Sequence, residues 1–161
     1  MTKMIRNNLP RFCISLIAGS GLLGSLPAQA EDAAETSPAV KYRHEVMEAM
    51  GKNFAAMAMV FQGRIDAPDH LQVHAEALAK TATLIGDLFG PGSEGGHALA
   101  LIWDEPDDVA EAARQATEAA AALAEATATG DKATIAQALK AAGDSCKACH
   151  ERYKEEDDHE H

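Results

Sequence analysis

Residues 144–153 read Asp-Ser-Cys-Lys-Ala-Cys-His-Glu-Arg-Tyr, and this stretch decides how the rest of the chain is interpreted. Cys146 and Cys149 are separated by two residues, and His150 follows at once. On a helix the two thiols share a face, with the imidazole beside the second thiol. In covalent haem attachment, two thiols so spaced add to the porphyrin vinyl groups and the histidine binds the iron. The motif therefore predicts one covalently bound haem c.

Three other chemistries use the same cysteine spacing. A redox dithiol normally lies in a βαβ setting, which the surrounding sequence lacks. A structural zinc site needs about four ligands, and the spare candidates near the motif are His159 and His161 in a charged tail. A plain disulfide is the third alternative. We favour haem because the one further cysteine, Cys13, lies in an N-terminal segment that we expect to be removed.

Residues 1–30 have the pattern of a cleaved signal peptide. A short apolar run over residues 12–26 is followed by Ala28-Gln29-Ala30, a small-x-small cleavage signal. The segment begins with the basic residues Lys3, Arg6 and Arg11. An uncleaved membrane anchor is the alternative, but the apolar run is too short to span a bilayer comfortably. We expect the mature chain to begin near Glu31 and to work in the periplasm.

The composition of the remaining chain indicates one acidic, helical domain. The full chain has a formal charge of −11, and removal of three basic residues with the signal peptide makes it −14. This charge argues against nucleic acid or an anionic membrane as a partner. Aromatic residues make up only 4% of the chain and alanine is abundant, which favours close-packed helices. We find no catalytic triad, paired carboxylates or phosphate loop, so the sequence does not predict an enzyme.

Start and stop signals divide the mature chain into four helices. Ser37 and Pro38 have the residue types of an N-cap and a first helical position. Asp69 and Asp131 are interpreted as caps of the second and fourth helices, and Gly130 is expected to end the turn before Asp131. Within each segment apolar residues recur every three or four positions. The predicted helices span about 38–62, 69–89, 104 or 106 to 127, and 132–153.

These helices predict an all-α, antiparallel, up-down-up-down four-helix bundle as a single domain from residue 31 to residue 161. The connection over residues 93–103 is long for a compact domain and is expected to be functional or to cross the end of the bundle. Cys146 and Cys149 continue the apolar face of the fourth helix. The haem is therefore expected inside the bundle. Residues 31–36 and the tail from residue 155 are expected to be disordered.

Several separated motifs resemble those of cytochrome c′, the class II cytochromes c, over about residues 40–157. In class I cytochromes the haem motif lies near the N-terminus, so its position at the C-terminus is informative. The motifs are Lys41-Tyr42-Arg43-x-x-x-Met47, Phe89-Gly90-Pro91-Gly92-Ser93-Glu94-Gly95-Gly96, Ile102-Trp103, Gly130-Asp131 and Cys146-Lys147-Ala148-Cys149-His150.

This resemblance implies an antiparallel bundle, often a homodimer through the first two helices, with a high-spin, five-coordinate haem. His150 would be the proximal iron ligand, and Met47 matches the residue that closes the distal face. Lys154 matches a basic residue that flanks the proximal side. Family members bind NO and CO and exchange electrons, which implies periplasmic redox partner proteins.

The coordination of the iron is the main alternative that the sequence leaves open. A thioether is a competent axial ligand, so Met47 could instead give a low-spin, His/Met-ligated electron shuttle. We favour the five-coordinate form from the resemblance. Arg43 lies one turn before Met47 and is predicted to bind a haem propionate. Phe54 and Trp103 could pack on the porphyrin. His44, His70, His74 and His97 are sixth ligands only in principle, and His44 is expected to face solvent.

Overall fold

The computed structural model describes residues 37–155. The predicted signal peptide, residues 31–36 and the tail beyond residue 155 lie outside the described residues. No described helix is long and apolar enough to cross a membrane. The helices are α1 (Pro38–Phe61), α2 (His70–Ala82), a 3-10 helix (Ile85–Phe89), α3 (Leu101–Asp104), α4 (Pro106–Thr129) and α5 (Lys132–Tyr153).

The four long helices form the predicted all-α bundle. Helix α1 packs on α2, α2 packs on α4, and α4 packs on α5. Short connections make α1 and α2, and likewise α4 and α5, antiparallel, and the longer stretch over residues 83–105 joins α2 to its antiparallel neighbour α4. The chain therefore returns to the starting end of the bundle with the last turn of α5, where the haem motif lies.

The ends of α1, α4 and α5 confirm the capping signals in the sequence. The hydroxyl oxygen of Ser37 accepts a hydrogen bond from the backbone N–H of Val40 at 3.2 Å. Gly130 ends α4 in the left-handed conformation, with φ of 69°. The Asp131 carboxylate then accepts from the N–H of Thr134 at 2.7 Å and starts α5. Each cap satisfies a backbone group that the helix itself leaves unpaired.

The predicted second helix is wrong over its last part. It was expected to run to Phe89, but α2 ends at Ala82 and the chain continues as a 3-10 helix. The hydroxyl oxygen of Thr117, on α4, lies 2.9 Å from the carbonyl oxygen of Ala82 and 2.8 Å from that of Ala113, so its one proton is shared between these two acceptors. The carbonyl of Ala82, where α2 ends, therefore faces a donor on a neighbouring helix. Ile85 and Leu88 nevertheless remain buried, so the apolar pattern still identifies core residues.

Asp69 does not cap α2 with its side chain, contrary to the prediction. It occupies the N-cap position, but its carboxylate makes no capping hydrogen bond. Its backbone is helical, with φ of −63° and ψ of −20°, whereas a capping residue is normally extended. Main-chain bonds form the turn instead, from the N–H of His70 to Ala67 and from that of Leu71 to Pro68.

The core lies between the long helices and sets the spacing of α1 and α5. Met57 and Leu123 are the largest fully buried side chains. A Cβ atom on Gly143 of α5 would lie 3.2 Å from the ring of Phe54 on α1, so only glycine allows this approach without a shift. The two helices therefore meet at this level of the bundle, and a cavity lies between them toward the end of α5.

Candidate haem site

A cavity of about 700 Å³ lies between the first half of α1 and the last turn of α5. This volume falls within the range of roughly 300–1,000 Å³ that is usual for cofactor and ligand sites. The glycine-rich connection, residues 90–100 between the 3-10 helix and α3, closes one side of the cavity together with Ile102. Of the six predicted site residues, the cavity brings together Arg43, Met47, Cys149, His150 and Lys154.

The two cysteines differ in exposure. Cys149 is half-buried and lines the cavity, whereas Cys146 is exposed and lies outside its lining. The prediction that both continue the buried face of α5 therefore fails for Cys146, although Ala142 one turn earlier is buried. The closest approach of α1 to α5 at Gly143 also precedes the motif, so the tightly packed part of α5 ends before Cys146.

The protonation of Cys149 does not favour a redox dithiol. Burial raises the pKa of its thiol, and the neighbouring Cys146 raises that pKa further. Reactive dithiols need the opposite shift, because the thiolate is the nucleophile. Cys146 and Cys149 form no disulfide with each other in the structure.

The described residues do not form a closed zinc site either. Within residues 37–155, no group of three or more His, Cys, Asp or Glu side chains is arranged to hold a metal ion. The spare ligands considered from the sequence, His159 and His161, lie outside this range. A structural zinc site needs about four ligands, so the described part of the chain supplies too few.

Arg43 is buried in the cavity wall, with 6% of its surface exposed. Its guanidinium donates hydrogen bonds to the carbonyl oxygens of Ser93 and Gly95, the latter at 2.5 Å. The guanidinium carbon lies 5.6 Å from the ring centroid of Phe89 and 5.8 Å from that of Trp103. Burial lowers the pKa of Arg43. Arg43 thus places a desolvated positive charge beside the cavity. Its hydrogen bonds also attach the glycine-rich connection to α1, and these bonds were not predicted from the sequence.

The same connection needs a glycine at residue 96. Gly96 has a φ of +62°, and a Cβ atom there would lie 2.8 Å from Cγ1 of Val40 and 3.5 Å from Nη2 of Arg43. Val40 is buried and β-branched, so its side chain has little freedom to move away. Backbone conformation and close packing therefore both select glycine.

We expect Gly96→Ala to lower the free energy of unfolding by about 2–4 kcal/mol, since it combines left-handed backbone strain with overpacking. Chemical denaturation of the haem-loaded protein measures this change. Gly90→Ala is the matched control, because Gly90 has negative φ and nothing lies within 4 Å of its added Cβ. If both variants lose the same stability, the close approach to Val40 is not the cause.

The end of α5 is tied to the connection by a short antiparallel pairing. Ala98 and Lys154 form an isolated β-bridge. The N–H of Leu99 donates to the carbonyl of Tyr153, and the N–H of Glu155 donates to that of His97, both at 2.9 Å. The pairing fixes the turn that follows His150. It involves too few residues to leave a strand pattern in the sequence.

Tyr153 also joins the last turn of α5 to the start of α4. It is buried in the cavity wall, and its hydroxyl donates to the carboxylate of Glu105 at 2.9 Å. Arg152 donates to the same carboxylate at 2.5 Å and to that of Asp108 at 2.9 Å. These contacts hold the last turn of α5 against the first turn of α4 and the residue before it. The residues involved are far apart in the sequence, so no spacing in the sequence indicates them.

The remaining predicted residues divide between the cavity and the rest of the bundle. Met47 is half-buried on α1 and lines the cavity. His44 and His97 also line the cavity, and both are exposed. For His44 this agrees with the predicted contact with solvent. Phe54 and Trp103 are not among the lining residues and pack against core clusters instead, and the indole Nε1 of Trp103 is buried without a hydrogen-bond partner among residues 37–155. His70 and His74 lie on α2, outside the cavity lining.

An antiparallel four-helix bundle with a Cys-x-x-Cys-His motif beside a cavity at the end of its last helix defines a class II c-type cytochrome. Residues 38–154 match the family model described as cytochrome C′. The chain belongs to the cytochrome c′ family, whose members carry covalently bound haem c.

Individual relatives agree with the family match. A cytochrome c′ of Pararhodospirillum photometricum is 33% identical over 119 residues, which cover 72% of this chain and 95% of the relative. Cytochrome c-556 of Agrobacterium fabrum is 34% identical over 148 residues, covering 88% and 97%. A ferrous cytochrome c′ variant of Alcaligenes xylosoxidans with bound NO superposes with a TM-score of 0.69 at 31% identity, covering 74% of this chain and 94% of that one.

Proposed function

We propose that this chain is a periplasmic haem carrier that binds NO and CO and exchanges electrons. Cys146 and Cys149 hold one haem c covalently, and the imidazole of His150 is the axial ligand of a five-coordinate iron. The observation that carries the proposal is the cavity in which Met47 of α1 and His150 of α5 both lie. The role is that of a carrier, not an enzyme, and the periplasmic location is supported by the signal-peptide pattern of residues 1–30.

The residues around the cavity suit a porphyrin. Apolar side chains such as Ile102 and Phe89 line it, and Lys41, Arg43 and Lys154 bring positive charge to the same cavity. A haem has an apolar ring and two propionate groups, so it needs this combination. When bound, the haem iron supplies the coordination position at which a diatomic molecule is held and the redox couple through which an electron passes.

Each side chain has a separate task in this arrangement. Met47 closes the distal face with a half-buried apolar wall, which admits small diatomic molecules in preference to larger ones. Arg43 uses part of its five N–H groups on the carbonyls of Ser93 and Gly95, and the others suit a propionate. Lys154 places positive charge on the proximal side, and His150 binds the iron. Solved relatives are supportive, because cytochromes c′ of Alcaligenes xylosoxidans have been determined with bound NO and with bound carbon monoxide.

A second candidate function uses the same scaffold. Met47 lines the cavity that also contains His150, and a thioether can bind iron to give a low-spin haem suited to electron transfer alone. Optical and electron spin resonance spectra of the ferric protein separate the two functions. High-spin signals, with NO and CO binding to the reduced protein, support the first. A purely low-spin spectrum without CO binding supports the second.

The homodimer would use the outer faces of α1 and α2. Tyr42 on α1 and Val73 on α2 are 56% and 63% exposed. We expect Val73→Lys to raise the dimer dissociation constant at least about tenfold, since burying an unpaired charge costs more than about 1.4 kcal/mol. Sedimentation equilibrium measures this change. Leu101→Lys on α3 is the control, and a dimer weakened only by Leu101→Lys contradicts the proposed interface.

A further inference from the structure

Two histidines of α2 lie outside the haem cavity and form a pair of their own. His70 and His74 are four residues apart and therefore share one face of the helix. Their ring centroids are 6.5 Å apart, with the ring planes at 76°. His70 is exposed and His74 is half-buried. The same i, i+4 spacing lets two histidines of one helix bind a single zinc ion in metalloproteases.

The hydrogen bonds around His74 define which of its nitrogens carries the proton. The side-chain Nδ2 of Asn53 donates to the carbonyl of Ala49 at 2.9 Å, which identifies Nδ2 as the amide nitrogen. The amide oxygen of Asn53 lies 3.0 Å from Nδ1 of His74. Because an amide oxygen can only accept a hydrogen bond, Nδ1 is the donor. In the neutral imidazole, the lone pair of His74 is therefore on Nε2.

This is the arrangement found around metal-binding histidines. Such a histidine donates its other ring N–H to an oxygen, which fixes the tautomer and the ring orientation and raises the basicity of the ligand nitrogen. Asn53 provides that oxygen from α1, and its own amide group is held by Ala49. His74 is thus oriented in advance, whereas the exposed ring of His70 is free to rotate towards a shared ion.

We propose that His70 and His74 bind one divalent ion of the late first-row series, Zn²⁺ or Cu²⁺, with water completing the coordination. Imidazole nitrogen suits these ions. With two protein ligands the site is exchangeable, because a closed structural site needs about four. The positive N-terminal end of α2 disfavours a cation there, so the affinity is below that of a closed site. The site uses none of the haem-binding residues, so its failure would leave the proposed function unaffected.

Zinc calorimetry on the haem-loaded full chain tests the proposal, because Zn²⁺ has no redox chemistry of its own. The titration uses a His159→Ala/His161→Ala background, which removes the two tail histidines. We expect one Zn²⁺ per chain at about pH 7.5. His70→Ala should abolish binding, and Asn53→Ala should weaken it about tenfold.

His97→Ala is the matched control, because His97 is an exposed histidine outside α2, and it should leave zinc binding unchanged. Circular dichroism and the haem absorption spectrum verify that each variant is folded. The proposal is overturned if the background protein binds no Zn²⁺, or if His70→Ala binds it with unchanged affinity. Unchanged affinity in Asn53→Ala would remove the argument from the orientation of His74.

Discussion

Replacing both Cys146 and Cys149 by alanine is expected to abolish covalent haem attachment completely. Each thioether bond needs one thiol, so a chain without either cysteine has no covalent link to the porphyrin vinyl groups. A haem-stained denaturing gel and the intact mass of the protein measure the loss, since covalent haem survives denaturation. The wild-type protein should carry the mass of one haem, and the double variant should carry none.

The single variants should behave differently from the double variant. Cys146→Ala and Cys149→Ala each retain one thiol, so a single thioether bond and residual staining are expected from each. Cys13→Ala is the control, because Cys13 lies in the predicted signal peptide and should not affect the mature protein. Wild-type protein that emerges without haem from a host competent in haem attachment, with free or disulfide-linked sulfurs, would contradict the proposed cofactor role of the motif.

Met47→Ala is expected to leave the ferric haem high-spin and to accelerate CO binding to the reduced protein. The expected acceleration is roughly tenfold or more, because steric crowding by a side chain typically costs about 1–3 kcal/mol and about 1.4 kcal/mol corresponds to a factor of ten. Flash photolysis measures the rate, and electron spin resonance measures the spin state. The variant should also lose about 2 kcal/mol of stability, since it truncates a half-buried methionine.

Met59→Ala separates the effect on the distal face from the loss of stability. Met59 is also a half-buried methionine of α1, but it does not line the cavity. It should lose comparable stability without a change in CO binding. The opposite result would be a wild-type protein with a low-spin haem and a Met47→Ala variant with a high-spin haem. That result would show that the sulfur binds the iron and would favour the electron shuttle.

Local signals in the sequence were sufficient where local chemistry determines the structure. Ser37, Gly130 and Asp131 act on backbone groups within a few residues, and the helix ends they predict are confirmed. At the end of α2, the carbonyl of Ala82 instead meets the hydroxyl of Thr117, which is 35 residues away along the chain. No window of sequence around Ala82 contains that information.

The candidate site shows the same division. The spacing of Cys149 and His150 is local, and the structure places both at the cavity. The contacts of Arg43 with Ser93 and Gly95 cross 50 and 52 residues of sequence. Sequence periodicity places Arg43 on the face of α1 that carries Met47, but it does not identify the partners on that face.

The hydrogen bonds from Arg43 to the glycine-rich connection constrain the path of the backbone there more than they constrain which amino acids form it. The guanidinium bonds two main-chain oxygens, which every amino acid possesses. Over evolutionary time, the exposed side chain at position 94 is therefore free to drift while the route of the backbone persists, whereas Ser93 is buried and donates its hydroxyl to the carbonyl of Gly90. Gly96 has no such latitude, and relatives that lose it would have to reshape the neighbourhood of Val40 in the same lineage.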